Sequence, residues 1–288
     1  MRAFLLVLLI GWSLGAQAQS PRTVVIGGDI AEIVTVLEAD QSLVGRDDTS
    51  LYPPSLASLP SVGYLRQLSA EGVLSLRPER LVVSGQARPR ETLRQLDASG
   101  VEVVTISAEP RLEEIPHKVM QVGEALDRET QATELAEQVR ARVEEVAALP
   151  RLDQGPAMFL LSHAGTSPMA AGHGTAADSA LSAAGIDNAF AAMPGYKVVS
   201  AEGLIAEAPS SVIVTRTGLD ALGGSEALWR LPGMAMTPAG SSRRLVVCDD
   251  QALLGFGPRT PEAILALHRA LASQHATADD ALCGVHAS

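Results

Sequence analysis

Short apolar runs alternate along the chain with stretches whose apolar positions recur every three or four residues. Residues 23–26 (TVVI) are a β-branched run, followed by Gly27-Gly28-Asp29 and a helical pattern from 30 to about 38. Further strands are predicted at 43–44, 81–83 and 101–106, with a helix over 90–99. The same alternation returns later: strands at 158–161, 212–215 and 245–247, and a helix over 176–184. Strand and helix alternating at this interval predict an α/β fold with parallel sheets and helices on both faces.

One stretch breaks the rhythm. Between Pro110 and Pro150 the only proline is Pro116, which a first helical turn tolerates, and the only glycine is Gly123. Ile115, Val119, Val122, Leu126, Leu135, Val139, Val143 and Val146 keep helical spacing throughout. A single helix of about 35 residues would be ~50 Å long, more than one small lobe needs. The predicted organisation is therefore a lobe over 19–110, a bridging helix over 111–150 and a second lobe over 151–288.

An internal repeat supports two related lobes. SAEGVLSLRPERLVVS (69–84) aligns without gaps on SAEGLIAEAPSSVIVT (200–215). Each copy has Ser-Ala-Glu-Gly, an apolar pair, a proline seven residues after the glutamate and a β-branched strand, and each follows a Gly-Tyr pair (Gly63-Tyr64, Gly195-Tyr196). The pattern is that of a capped helical turn feeding a buried strand.

Composition changes this picture in three places. Residues 1–18 carry Arg2, an apolar core over 4–14 and Ala16-Gln17-Ala18, the order of a secretory leader cleaved near Ala18. About 11 apolar residues are too few for a bilayer, which needs ~20, so a periplasmic protein is expected. The formal net charge of −11 speaks against nucleic acid, which wants a basic stripe. Two cysteines, Cys248 and Cys283, in an exported chain suggest one disulfide tying the tail to a late strand.

Two Rossmann-like lobes, one bridging helix and paired Ser-Ala-Glu-Gly elements resemble the periplasmic binding proteins of ABC importers for cobalamin, ferric siderophores and haem. LPSVGYLRQLSAEGVLSLRPERLVVS (59–84) is most similar to the haem-binding branch, as are MAAGHGTAADSALSAAGIDNA (169–189), GYKVVSAEGLIAEAPSSVIVT (195–215) and ALWRLPGMAMTPAG (227–240). The resemblance implies a carrier that takes haem into the interlobe cleft and delivers it to a homodimeric inner-membrane ABC permease with its ATPase. An outer-membrane haem receptor system would stand upstream. Haem would then be cargo, not a catalytic cofactor.

By itself, Gly63-Tyr64-x-Arg66 reads as an ordinary loop tyrosine with a wet hydroxyl; the resemblance makes Tyr64 the axial ligand of haem iron and Arg66 its support. The chemistry agrees, because ferric iron is a hard acid, phenolate is a hard anionic donor, and a neighbouring guanidinium favours loss of the phenol proton. In the second lobe the resemblance implies a histidine near the haem as a candidate second ligand, His163 or His173, with His163, directly after a strand, preferred, and Met169 can cover a porphyrin face. Arg216, also at a strand end, is matched to a propionate, and Arg46 and Tyr52 hold similar places in the first lobe. Each of these alone reads as a surface or packing residue. His117, His268, His275 and His286 read as surface residues. Glu71 and Glu202, one per repeat, correspond to the glutamates that dock such carriers onto permease arginines; alone, both read as helix N-terminal carboxylates.

Two rival readings remain open. A cobalamin or siderophore carrier is the nearer, although Trp229 is the one tryptophan after the leader and siderophore sites usually need several aromatic or cationic contacts. An exported Rossmann-like enzyme is the more distant. TVVIGGDIAEIV (23–34) lacks the full Gly-x-Gly-x-x-Gly fingerprint, and neither a Gly-x-Ser-x-Gly nor a His-Glu-x-x-His motif occurs.

Overall fold

The computed structural model describes residues 20–163, 165–273 and 281–285; the leader expected over 1–18, His275 and His286 lie outside them. Four strands form the first sheet: β1 (Thr23–Ile26), β2 (Leu43–Arg46), β3 (Arg80–Ser84) and β4 (Glu102–Ile106). All pair in parallel, in the order β2-β1-β3-β4. The crossovers carry α1 (Gly28–Val36), α2 (Ala70–Leu74) and α3 (Arg90–Ala98). The central strand β1 is buried along its whole length, as a parallel strand covered on both faces must be.

The strut is two helices, not one. α4 (Glu114–Ala125) ends before α5 (Glu129–Ala147) begins. The stop is a Schellman turn: Asp127 takes φ 55°, the Arg128 N–H donates to the Gly123 carbonyl at 2.8 Å, and the Asp127 N–H points at Glu124. A continuous apolar stripe hid this corner, because both helices present that stripe to the same core. Gly123 sits where α5 turns back across α4; a methyl there would overlap the Ala132 side chain and press on the Arg128 carbonyl at 3.2 Å. The bridge proper is α5, about 28 Å long. It buries Ala132, Leu135, Ala136, Val139 and Val146, and one apolar core runs past it from Ile33 and Val119 to Phe159 and Ile264.

The second sheet is mixed, where parallel strands alone were expected. It contains β5 (Ala157–Leu161), β6 (Met169–Ala171), β7 (Tyr196–Val198), β8 (Ser211–Thr215), β9 (Leu245–Cys248) and β10 (Cys283–Val285). The order is β10-β9-β8-β5-β6-β7. β5, β8 and β9 are parallel, while β6, β7 and β10 run antiparallel at the two edges. The expected disulfide joins Cys248 to Cys283, directly opposite each other across β9 and β10. α6 (Ala176–Ala183) and α7 (Ala201–Glu207) complete the elements needed below. His268, expected at the surface, is buried instead, its Nδ1 2.9 Å from the Ala184 carbonyl, because the helix Thr260–Ala272 packs against the core on most of its faces.

The repeated stretches are alike in three dimensions. Ser69 and Ser200 cap α2 and α7, accepting from Gly72 N–H at 3.4 Å and Gly203 N–H at 3.1 Å. Arg77 and Ala208, at matching positions, both adopt left-handed backbone (φ 46° and 43°) before their prolines, and the chain then enters β3 or β8.

Between the lobes lies a buried polar seam. Lys118 of α4, 1% exposed, donates to Asp29 of α1 at 2.6 Å and to the Phe256 carbonyl of the second lobe at 2.8 Å. Glu32, one turn further along α1, accepts from the Arg259 backbone N–H at 3.0 Å and its Nε at 3.1 Å. Gln251 donates to the Gly28 carbonyl at 2.6 Å and to Glu32 at 3.2 Å. Gly28 permits this approach: a Cβ there would stand 2.6 Å from the Thr49 carbonyl and 3.0 Å from the Gln251 amide. Gly27, with φ 120°, occupies backbone space that side chains avoid. The glycine pair thus makes a tight lobe contact.

Two measurements follow from this packing. Gly123→Ala should cost about 1–3 kcal/mol by forcing α4 and α5 apart, visible as a lower urea midpoint with the slope retained. Burial lifts the Glu32 carboxyl above the ordinary glutamate range, outweighing the opposing pull of the Arg259 charge, its hydrogen bonds and Gln251. A carboxyl raised on folding contributes stability that is full below its unfolded pKa and is lost as pH climbs through the native value. Glu32→Gln cannot ionise and lacks that slope. Urea melts between about pH 4 and pH 7 should therefore show the stability difference moving in the variant's favour as pH rises.

Candidate functional site

Above the seam the lobes enclose a cavity of about 690 Å3. It lies beyond the carboxyl ends of the central strands, where α/β sheets present ligands. Gly27 follows β1, Asp48 and Thr49 follow β2, and Ser84 ends β3; His163 follows β5, and Asp249 to Gln251 follow β9. Leu51, Pro54, Leu254 and Phe256 supply apolar wall. This volume lies within the ~300–1,000 Å3 of small-molecule sites.

Tyr64 and Arg66 reach the cavity because of how their loop is pinned. Val62, Leu65 and Leu68 are buried in the first lobe, so the side chains between them are turned outward. Gly63 takes φ 93°, and a Cβ on it would meet nothing within 4 Å, so the glycine is required by backbone and not by crowding. The Gly63 carbonyl accepts from Asp48 N–H at 3.0 Å and the Tyr64 carbonyl from Gln67 N–H at 2.8 Å. Tyr64 is left 42% exposed, a large fraction for a tyrosine on an ordered loop. Arg66 donates to the Gln86 side chain at 2.9 Å, which keeps the guanidinium on the cavity wall.

From the second lobe, His163 enters the same cavity with its ring exposed. Its carbonyl accepts from the Thr166 N–H at 3.1 Å and hydroxyl at 3.0 Å, closing a tight turn after β5. Tyr64, Arg66 and His163 are thus brought together. His173, Met169 and Arg216 are not among the residues lining the cavity. His173 is exposed, with Nδ1 3.2 Å from the Ala191 carbonyl; Met169 begins β6; Arg216 reaches the Ala281 carbonyl at 3.3 Å. Arg46 is occupied by the Leu56 and Asp47 carbonyls, each at 2.9 Å. Glu71 and Glu202 stand outside the cavity in the first turns of α2 and α7. Its own backbone N–H and the Ser200 hydroxyl hold the Glu202 carboxyl below the usual range.

Tyr52, named from the sequence only for its place in the first lobe, lines the cavity, whereas Tyr196 and Arg259, given no role there, stand behind its wall. Tyr52, half-exposed, lines the wall with the Arg259 guanidinium 3.4 Å above its ring centroid. Tyr196, counterpart of Tyr64 in the repeat, is half-buried in β7. Burial raises its pKa, against hydrogen bonds to the Ala177 backbone and the Thr175 hydroxyl and the positive charge of Arg66 across the cleft. The repeat itself was the signal for Tyr196; nothing local marked Arg259. The acids of the wall are engaged: Asp29 by Lys118, Asp48 by the Ser61 hydroxyl at 2.5 Å, and Asp250 by Thr217. The site therefore offers an accessible phenol beside a guanidinium, an imidazole opposite, and apolar walls between.

Comparison with known proteins points the same way. The sequence profile of a family described as periplasmic binding protein matches residues 24–252. Among solved structures, the periplasmic haem-binding protein RhuT from Roseiflexus sp. RS-1 in apo form is 38% identical, with a TM-score of 0.82 over 87% of this chain and 97% of that one. The periplasmic haem-binding protein BhuT in complex with two haems is 39% identical, with a TM-score of 0.81 over 87% and 97%. A periplasmic haem-binding protein from Pseudomonas aeruginosa is 34% identical, with a TM-score of 0.81 over 94% and 99%.

Proposed function

The chain belongs to the periplasmic binding protein family, and from that premise we propose that it captures haem between its lobes and hands it to an inner-membrane ABC permease. The observation that carries this reading is Tyr64: an exposed phenol on a pinned loop, beside Arg66, opening into a cavity shared by both lobes. In this role Tyr64 is the axial ligand of the ferric iron. Arg66 favours the phenolate by its charge, as the iron does. His163 is the second-lobe contact, preferred to His173 because it alone of the two lines the cavity. The apolar walls exclude water from the faces of the macrocycle. We read the protein as a carrier and not an enzyme, since its family consists of substrate-binding transport proteins, and we place it in the periplasm behind a cleaved leader.

Delivery needs a surface that two permease subunits recognise. Glu71 and Glu202 hold matching places in the repeat, both in the first turn of a capped helix. Glu202 carries its charge at neutral pH, being held ionised by the Ser200 hydroxyl and its own N–H. A pair related by the lobe repeat suits a homodimer that presents cations to each lobe.

Hemin titration of the apo-protein tests the first half. Wild type should develop a Soret band saturating at one or two equivalents. Tyr64→Ala should weaken binding at least tenfold, and Tyr64→Phe should lose the phenolate-to-iron charge-transfer bands. Arg66→Ala should raise the pH at which those bands appear, because the charge that favours phenolate is gone. Wild-type bands in Tyr64→Phe would remove Tyr64 from the iron.

Haem transfer to permease-containing proteoliposomes tests the second half. Glu71→Ala/Glu202→Ala should bind haem and melt as wild type does, yet fail to stimulate the ATPase or deliver haem. Rising salt should weaken the wild-type response. Undiminished transfer by the double variant would return both glutamates to first-turn helix carboxylates alone.

A further inference from the structure

Tyr52 and Arg259 approach the cavity from opposite lobes. Tyr52 belongs to the loop after β2, and Arg259 precedes the helix Thr260–Ala272 of the second lobe. The Arg259 guanidinium lies 3.4 Å from the Tyr52 ring centroid, flat contact distance for a cation–π pair. Arg259 is held in place by Glu32, through its backbone N–H at 3.0 Å and its Nε at 3.1 Å, with Asp249 3.5 Å from Nη1. Nη2 is buried without a hydrogen-bond partner, as expected when the plane of the group is turned to a ring. With two carboxylates already matched to its charge, Arg259 is poorly suited to receive a ligand carboxylate. Its free capacity is the stack.

We propose that Tyr52 is a ligand-contacting wall of the cleft, and that Arg259 of the opposite lobe is the positioning residue that holds this wall against the cargo. The proposal rests on the haem reading and names a further contact of that same site. One ring face is covered by Arg259, while Tyr52 as a whole is 38% exposed and lines the cavity that contains Tyr64 and His163. A cation against one face draws electron density from the ring, leaving the other face better matched to the electron-rich surface of a porphyrin. The wall also exists only at this lobe spacing. Separating the lobes withdraws Arg259, releases the Tyr52 ring and loosens the cargo, so whatever pries the lobes apart lowers haem affinity without touching the iron ligand.

The test is the rate at which excess apomyoglobin strips haem from the loaded protein, followed in the Soret region. Tyr52→Phe should behave as wild type, whereas Tyr52→Leu should lose haem about tenfold faster, the scale of one aromatic contact. Tyr52→Trp, with a wider face for both guanidinium and porphyrin, should slow the loss. Arg259→Lys keeps the charge but not the planar stack; it should speed the loss, and combining it with Tyr52→Leu should add little further. Charge-transfer bands from Tyr64 should be unchanged in every variant. Loss from Tyr52→Leu at the wild-type rate overturns the proposal, as does full additivity of Tyr52→Leu with Arg259→Lys. Should Arg259→Lys fail to fold, faster loss from Tyr52→Leu with slower loss from Tyr52→Trp sustains the wall, and no change in either sinks it. Failure of wild type to give a Soret band with hemin is the separate outcome that overturns the haem reading itself.

Discussion

Everything in the cleft depends on a few charges that have been taken out of water. Asp29 and Glu32, a turn apart on α1, face Lys118 of α4 and Arg259 of the second lobe in the seam beneath the cavity. Burying such groups is costly, and their mutual attraction returns that cost only when geometry is good. Here the carboxylates and the Lys118 ammonium are partnered, with help from the Phe256 carbonyl and the Gln251 amide nitrogen, while Arg259 Nη2 and Gln251 Oε1 are left without a hydrogen bond. Pairs of this kind contribute less net stability than direction: removing one partner costs about 3–5 kcal/mol, whereas apolar replacement of the whole is often neutral. An apolar contact between lobes tolerates sliding. A lysine bonded at once to a carboxylate of its own lobe and a carbonyl of the other does not, so the width of the cavity is set from below.

On that floor the two lobes play unequal parts despite the repeat they share. The capped helix, the left-handed residue before proline and the buried strand are kept in both copies. The Gly-Tyr pairs diverge. Tyr64 stands on a loop pinned by Val62, Leu65 and Leu68, with its ring in the cavity. Tyr196 has been drawn into an edge strand, where its hydroxyl is held at the start of α6. The shared capped helices lie outside the cavity, while the two tyrosines differ: Tyr64 lines it and Tyr196 does not.

Much of this was legible in the chain. Parallel strands such as β1, β3 and β8 announce themselves as unbroken β-branched runs, and the Ser-Ala-Glu-Gly repeat exposed the lobe symmetry. Three-residue edge strands carry too little pattern: β6 (MAA) and β7 (YKV) show neither a run nor a full alternation. The corner between α4 and α5 was masked because Asp127 takes a left-handed turn that glycine usually fills. Lys118 was readable in principle, since it shares a helical stripe with Ile115, Val119 and Val122, as Glu32 does with its apolar neighbours on α1. A charge inside an apolar stripe signals a buried partner. It does not say which one, and Arg259, in a Gly-Pro-rich turn distant in sequence, carried no mark at all.

The disulfide has one further effect. Asp249, Gln251, Phe256 and Arg259, the second-lobe half of the seam, all lie between Cys248 and Cys283. The end of a chain is ordinarily where native structure frays first, and fraying spreads inward one contact at a time. Here the inward spread meets a covalent stop, because β10 cannot peel from β9 without a sulfur–sulfur bond breaking. Separation of β10 from β9 therefore cannot be the route by which the floor of the cleft comes undone while the bond is intact.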